Sequence, residues 1–169
     1  MARIIKPRMT VELEGDFVVF LIGMRINRPW QIWQWLPVIQ AMPRMLIELA
    51  KHPEMGLLAA RSHFGFPNVM VVQYWRSFDH LVTYASNKDA EHFPAWVAFN
   101  KHTGSNGAVG IWHETYRVAA GQSEAIYVNM PAYGLGKAGT LVPATGRKST
   151  AAGRIQELRK AERETNPVE

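Results

Sequence analysis

Residues 17–26 read FVVFLIGMRI, ten residues rich in β-branched and aromatic side chains and broken at once by Asn27-Arg28-Pro29. This composition, with that break, predicts a buried strand. Both alternating rows are apolar: Val18, Phe20, Ile22 and Met24 in one, Phe17, Val19 and Leu21 in the other. A strand with one solvated face would carry polar side chains in one row. This strand therefore belongs to a sheet covered on both faces. A second copy of the chain is the simplest cover for the face that helices leave bare.

The rest of the order follows outward from this strand. Pro29 suits the first turn of a helix, and Trp30 to His52 is a helical region. Pro37 and Pro43 each lack an N–H and crowd the preceding turn, so two helical pieces are expected, with Pro43 opening the second. Met55 to Phe64 reads as the second strand, Gly65-Phe66-Pro67-Asn68 as a hairpin turn, and Val69 to Arg76 as the third strand. Ser77 is a good N-cap for a short helix over Phe78 to Ala85. A second helical stretch is expected from about Asp89 to His102, and Val109 to Val118 (VGIWHETYRV) is the fourth strand. The order β-α-β-β-α-β is that of the split ferredoxin-like unit, an α+β fold with helices on one face of a four-stranded sheet.

The expected organisation is an N-terminal arm over 1–15, the ferredoxin-like domain over 16–119, an extension over 120–149 and a solvated basic tail over 150–169. In the extension, Glu124 to Met130 has the composition of an extra strand. Pro131 to Ser149, with four glycines and Pro143, reads as an extended or embracing loop. Residues 151–163 (AAGRIQELRKAER) make a weakly amphipathic helix at most, expected to be loosely docked and to add little stability.

Composition bounds the function classes. With 169 residues, 47% hydrophobic and 20% charged, the chain has the makings of one globular core and not of a disordered polymer. It has no cysteine, which removes disulfides, thiolate nucleophiles and cysteine-bound metals. The longest apolar run, Phe17 to Met24, is far short of the ~20 residues of a membrane helix. No apolar segment of signal-sequence length follows the cations Arg3, Lys6 and Arg8, so a cytoplasmic protein without a membrane partner is expected. The net charge of +5 lies mainly in the arm and in Lys137, Arg147, Lys148, Arg154, Arg159, Lys160 and Arg163. Solvated basic ends, not a nucleic-acid site, account for it. The six histidines show no pair at the three- to five-residue spacing of a helical metal site.

The residues that can carry chemistry are aromatic and imidazole side chains. The third strand ends in Gln73-Tyr74-Trp75-Arg76, Tyr84 follows in the short helix, and His92, Trp96 and Phe99 come next. In a continuous helix His92, Trp96 and Phe99 would share one face. Pro94 disfavours helical geometry at Phe93, which puts His92 just before a helix N-terminus. There the helix dipole disfavours imidazolium, and a neutral histidine suits a general base or a haem-iron ligand. A capping or packing role explains the same residue. His113 lies mid-strand, on the face opposite Trp112, Glu114 and Tyr116. Trp30, Trp33, Trp35 and Trp112 read first as core or dimer packing.

The stretches VVFLIGMRIN, WLPVIQAMPRML, VQYWRSFDHLVTYASNKDAEHFPAW, GSNGAVGIWHETY and YVNMPAYGLGKAG resemble the polyketide-monooxygenase-like family of the antibiotic-biosynthesis-monooxygenase superfamily, over about residues 17–139. The resemblance implies a dimeric α+β barrel, a homodimer whose pocket lies between helices and sheet. It implies oxygenation of a bulky hydrophobic aromatic or polyketide-like molecule by O₂, without metal or flavin. In such a route His92 or His113 would be the base, Trp75, Tyr84, Trp96 and Phe99 would wall the substrate, and Arg25 would hold its anion. A haem-degrading branch of the same superfamily spaces a strand tryptophan, a helix aromatic and a helix histidine much as Trp75, Tyr84 and His92 stand here. There the histidine lies about two residues later, and tryptophan takes the place of Tyr84. Haem with His92 as axial ligand is thus the alternative, and a non-catalytic binding or regulatory protein is a third reading.

Overall fold

The structure, a computed structural model, describes residues 3–88, 90, 97, 99–100 and 106–165. They divide into two compact units: residues 19–116, and the two flanking segments, up to residue 18 and from 117 onward.

The first unit is built on a four-stranded sheet. Its strands are β2 (Phe17–Ile26), β3 (Leu57–Gly65), β4 (Asn68–Trp75) and β5 (Val109–Val118), in the order β3-β4-β2-β5. With α1 (Ile32–Lys51) between the first two strands and α2 (Phe78–Ser86) after the third, this is the ferredoxin-like order. Strands β2 and β5 keep the limits expected from sequence. β3 begins two residues late because Pro53–Met55 closes a 3₁₀ turn and Gly56, at φ 89°, makes the left-handed step into the strand. Ser77 caps α2, its hydroxyl accepting from the His80 N–H at 3.2 Å.

The expectation of two helical pieces in 30–52 is corrected. α1 is one helix of 20 residues with Pro37 and Pro43 inside it. Both prolines are on its exposed side, while Met45 and Leu49 are buried. An interior proline costs about 3 kcal/mol. The apolar side chains along the inner face, each contributing about 1.5–3 kcal/mol when fully buried, outweigh that.

Alternation and contacts sort the two sheet faces. Met24, Ile26 and Val109 form a buried cluster against Trp35, Val38 and Ile39 of α1, with Val69 and Phe99 packed on it. The helix side therefore carries Phe20, Ile22, Met24 and Ile26 from β2, Val69, Val71, Gln73 and Trp75 from β4, and Val109, Ile111 and His113 from β5. The opposite face carries Leu21, Gly23, Arg25, Val72, Tyr74, Trp112, Glu114 and Tyr116. There the Trp112 indole lies over Gly23, where a Cβ would stand 2.6 Å from the ring. The Tyr116 phenol donates to Glu114 at 2.6 Å, and that bond and the carboxylate charge hold its pKa above the usual phenol value.

The second unit joins pieces that the sequence alone leaves apart. The arm contains a strand, β1 (Met9–Glu12), paired antiparallel with β6 (Thr140–Pro143) in register Met9↔Pro143 to Glu12↔Thr140. The strand expected over Glu124 to Met130 is corrected: Tyr127 bridges Met9 and Met130 bridges Ile5 as isolated pairs. The segment expected as a loop holds β6 and a one-turn helix, α3 (Leu135–Ala138).

Residues Ala151–Thr165 form a helix, α4. Arg154 on it is 4% exposed, so the segment expected to be solvated or loosely docked carries one buried charged side chain. Its Nε donates to Glu124 at 2.7 Å and its Nη1 to the Lys148 carbonyl at 3.0 Å. Lys148 is itself paired with Glu12. A buried guanidinium is retained only where such partners meet it. Arg154→Ala leaves Glu124 without that partner and is expected to lower the stability of this unit by about 2 kcal/mol, discounted because Glu124 is partly solvated. Urea unfolding followed at Tyr127 and Tyr133 would check this; an unchanged midpoint would return the tail to the solvated reading.

Candidate functional site

The helix side of the first unit holds two groups of candidate residues. One surrounds Trp75, which is 1% exposed. Its indole N–H donates to Gln73 Oε1 at 2.9 Å, and the Gln73 amide reaches Met42 Sδ on α1 at 3.7 Å. The Trp75 and Tyr84 rings lie 5.8 Å apart at 38°. The Tyr84 hydroxyl donates to Glu48 Oε2 on α1 at 2.7 Å. Sheet, α1 and α2 are thus fastened through one aromatic and polar chain. Trp75 and Tyr84 stand together, in a closed contact and not as two walls of an open slot. Gln73, Met42 and Glu48 were missed. Gln73 carries a signal, a lone amide at a buried position of an apolar strand, whereas nothing in the sequence links Glu48 to Tyr84 across thirty-six residues.

The second group lies on the β2–β5 half of the same face. His113 is exposed, and its ring stands 5.6 Å from that of Phe20 at 40°. Ile22, Met24 and Val109 continue the apolar floor, Ile111 is half exposed beside it, and Phe99 packs on Met24, Ile26 and Val109. This is a reachable imidazole on an apolar surface, the arrangement that suits proton transfer to or from a hydrophobic molecule. His92 and Trp96 lie outside the described residues.

Arg25 is not with them. It is exposed on the opposite face, where Nη1 approaches Asn68 Oδ1 at 3.4 Å. A residue one step from Met24 along a strand points away from it.

A separate hollow of about 310 Å³ opens beside α2 and is lined by Glu54, Met55, Asp79, His80, Thr83, Tyr84 and Asn87. The Ser77 hydroxyl meets His80 Nδ1 there at 2.7 Å while accepting the His80 N–H. These bonds are those of a helix cap, and they hold the imidazole against Gly56, where no Cβ would fit. Glu54 at its rim titrates below the usual carboxylate range, through a backbone hydrogen bond first and its bond to His52 second. Among the described residues no group of three His, Asp or Glu side chains stands together as a metal site.

Comparison with known proteins agrees with this architecture. Two aldoxime dehydratase structures share the fold: one in complex with butyraldoxime, at TM-score 0.63 and 14% identity over 77% of this chain and 41% of that one, and another at TM-score 0.60 and 18% identity over 92% and 44%. Among curated proteins, Monooxygenase af470 of Aspergillus fumigatus is 26% identical over 151 aligned positions, covering 76% of this chain and 53% of the relative. The chain thus spans about half the length of that curated relative. Residues 17–135 match the family described as Monooxygenase af470-like, from the first residue of β2 to the first of α3. That match takes in all four strands of the sheet and both candidate groups, and the chain belongs to the Monooxygenase af470-like family.

Proposed function

We propose that this chain is a monooxygenase-like enzyme that oxidises a bulky hydrophobic, aromatic or polyketide-like molecule with O₂ and without flavin or metal, with His113 as the base on the helix side of β5. The observation that carries this reading is the exposed His113 ring against Phe20 on an otherwise apolar floor. Family membership supports the reaction class.

The chemistry asks little of the protein. The substrate has an acidic methylene flanked by electron-rich rings or carbonyls. Neutral His113 takes one proton, and the resulting carbanion passes an electron to O₂. The radicals combine to form a C–O bond, and the imidazolium returns its proton to the peroxide. Loss of the second C–H proton and of hydroxide breaks the O–O bond and leaves a carbonyl. The sum is CH₂ plus O₂ to C=O plus water. The substrate supplies all four electrons, so no external reductant enters. Phe20, Ile22 and Phe99 offer the bound molecule an apolar contact beside the base, which lowers the local water activity that would otherwise reprotonate the anion. His92 is the second candidate base, and Trp96 a further wall.

The test is oxygen uptake with a phenolic anthrone, read beside the absorbance of the quinone formed. One mole of O₂ per mole of quinone, unchanged by metal chelators, is the expected result. No uptake above the uncatalysed rate overturns the reading. The spectrum of protein from haem-replete cells separates it from the haem alternative: a Soret band abolished by His92→Gln would assign the protein to the haem reading.

The same reading includes a homodimer. The face bearing Leu21, Val72, Tyr74, Trp112 and Tyr116 is largely apolar and aromatic, with Arg25 at one end and Glu114 beside Tyr116, and a second copy laid on it by a two-fold axis would bury its apolar part. Sedimentation equilibrium should find a dimer at micromolar protein, and a stable monomer there would remove this part of the proposal.

A further inference from the structure

One end of the first unit gathers large apolar side chains that stand exposed among the described residues. The Ile26 N–H donates to the Pro67 carbonyl at 2.9 Å, which ties the end of β2 to the β3–β4 turn. Phe66 immediately precedes Pro67, and Trp30 lies four residues beyond Ile26. The Asn27 and Arg28 N–H groups donate to Ala108 at 2.9 and 3.2 Å, and the Trp35 indole donates to the Pro29 carbonyl at 3.0 Å, so the entry to α1 is held at the same end. Here Phe64 is 77% exposed, Phe66 76%, Trp30 69% and Trp33 69%, and Ile32 is also exposed. Aromatic side chains this open are costly in water and ordinarily mark an interaction site.

The charge around them has one sign. Residues 24–36, 62–70 and 106–110, the strand ends, turn and helix start that form this end, hold Arg25 and Arg28 and no carboxylate. Arg25 and Arg28 flank the aromatic group and are exposed.

We propose that this end docks on an anionic lipid surface, with Phe64, Phe66, Trp30 and Trp33 entering the headgroup boundary and Arg25 and Arg28 meeting the phosphates. Three features favour lipid over a protein partner. The aromatics stand exposed on a hairpin turn and at a helix start. Tryptophan prefers the membrane interface, where its ring is buried and its N–H stays wet. The absence of carboxylates suits a uniformly negative surface. Among the described residues no helix is long and apolar enough to cross a membrane. A lipid partner departs from the expectation drawn from sequence, but lying on a surface needs no spanning segment. The inference does not depend on the proposed reaction.

The experiment is co-sedimentation of the full chain with phosphatidylcholine vesicles with and without about one third phosphatidylserine. Binding should require the anionic lipid and weaken as salt is raised to about 0.5 M. Phe66→Ser with Trp33→Ser should weaken binding about tenfold or more, and Arg28→Gln by a smaller factor, at unchanged melting temperature, since all three side chains are exposed. In the unaltered chain, brominated lipid should quench part of the tryptophan emission, a readout that needs no variant. Equal binding to neutral and anionic vesicles, no quenching, or no loss in the aromatic variant would overturn the proposal. So would a dimer that Phe66→Ser converts to monomer, which would assign the patch to a second copy.

Discussion

Trp75→Ala is expected to cost about 3–5 kcal/mol, a large part of the ~5–15 kcal/mol that holds a typical domain together. The indole is 1% exposed and meets Tyr84 at 5.8 Å. Truncation leaves a cavity where α2 meets the sheet, and it strands the Gln73 carbonyl that the indole N–H satisfies at 2.9 Å. The two costs separate in a second variant. Trp75→Phe keeps most of the ring but not the donor, and should cost about 1–3 kcal/mol. Urea midpoints at constant m-value would read both. A loss under about 1 kcal/mol for Trp75→Ala would mean that the site collapses around the missing ring.

His113→Gln is expected to lower turnover about 10²–10⁴-fold, the usual contribution of a positioned general base, with the melting point unchanged. The side chain is exposed and its ring contact is with Phe20, so little packing is lost. A pH–rate profile adds a signature that a structural role would not move. In the unaltered enzyme the rate should fall below the pKa of the base, where imidazolium cannot accept a proton, and His113→Gln should abolish that limb. Full turnover in His113→Gln, with loss in His92→Gln, would transfer the role to His92.

Particular elements show why some of this was legible and some was not. Strands β2 and β5 were readable to the residue, because β-branched and aromatic stretches bounded by breakers, Asn27-Arg28-Pro29 after β2 and Gly104-Ser105-Asn106-Gly107 before β5, have few alternatives. Ser77 and α2 followed from capping chemistry, which is local. The two prolines of α1 misled, because the rule against interior proline weighs only the backbone bond lost, and the gain came from burial against a sheet that is distant in sequence. In the site, Trp75 and Tyr84 could be singled out together, as a strand tryptophan and a helix aromatic spaced much as in a related branch. The closed character of their contact was not legible, since Glu48 and Met42 come from a helix that precedes both.

By itself the sequence determined the order of the four strands of the first unit with α1 and α2, the ferredoxin-like class and the family, because each is written in local pattern or in contiguous motif. Tertiary structure alone decided which sheet face each candidate occupies. Alternation says that Met24 and Arg25 point apart and that His113 opposes Trp112, but it has no origin until α1 lies on Met24, Ile26 and Val109. Only then do His113 and Phe20 fall on the helix side and Arg25 on the other. The small sheet of β1 and β6 needed the fold for the same reason. A four-residue strand has too little pattern to be recognised, and its partner lies more than a hundred residues away.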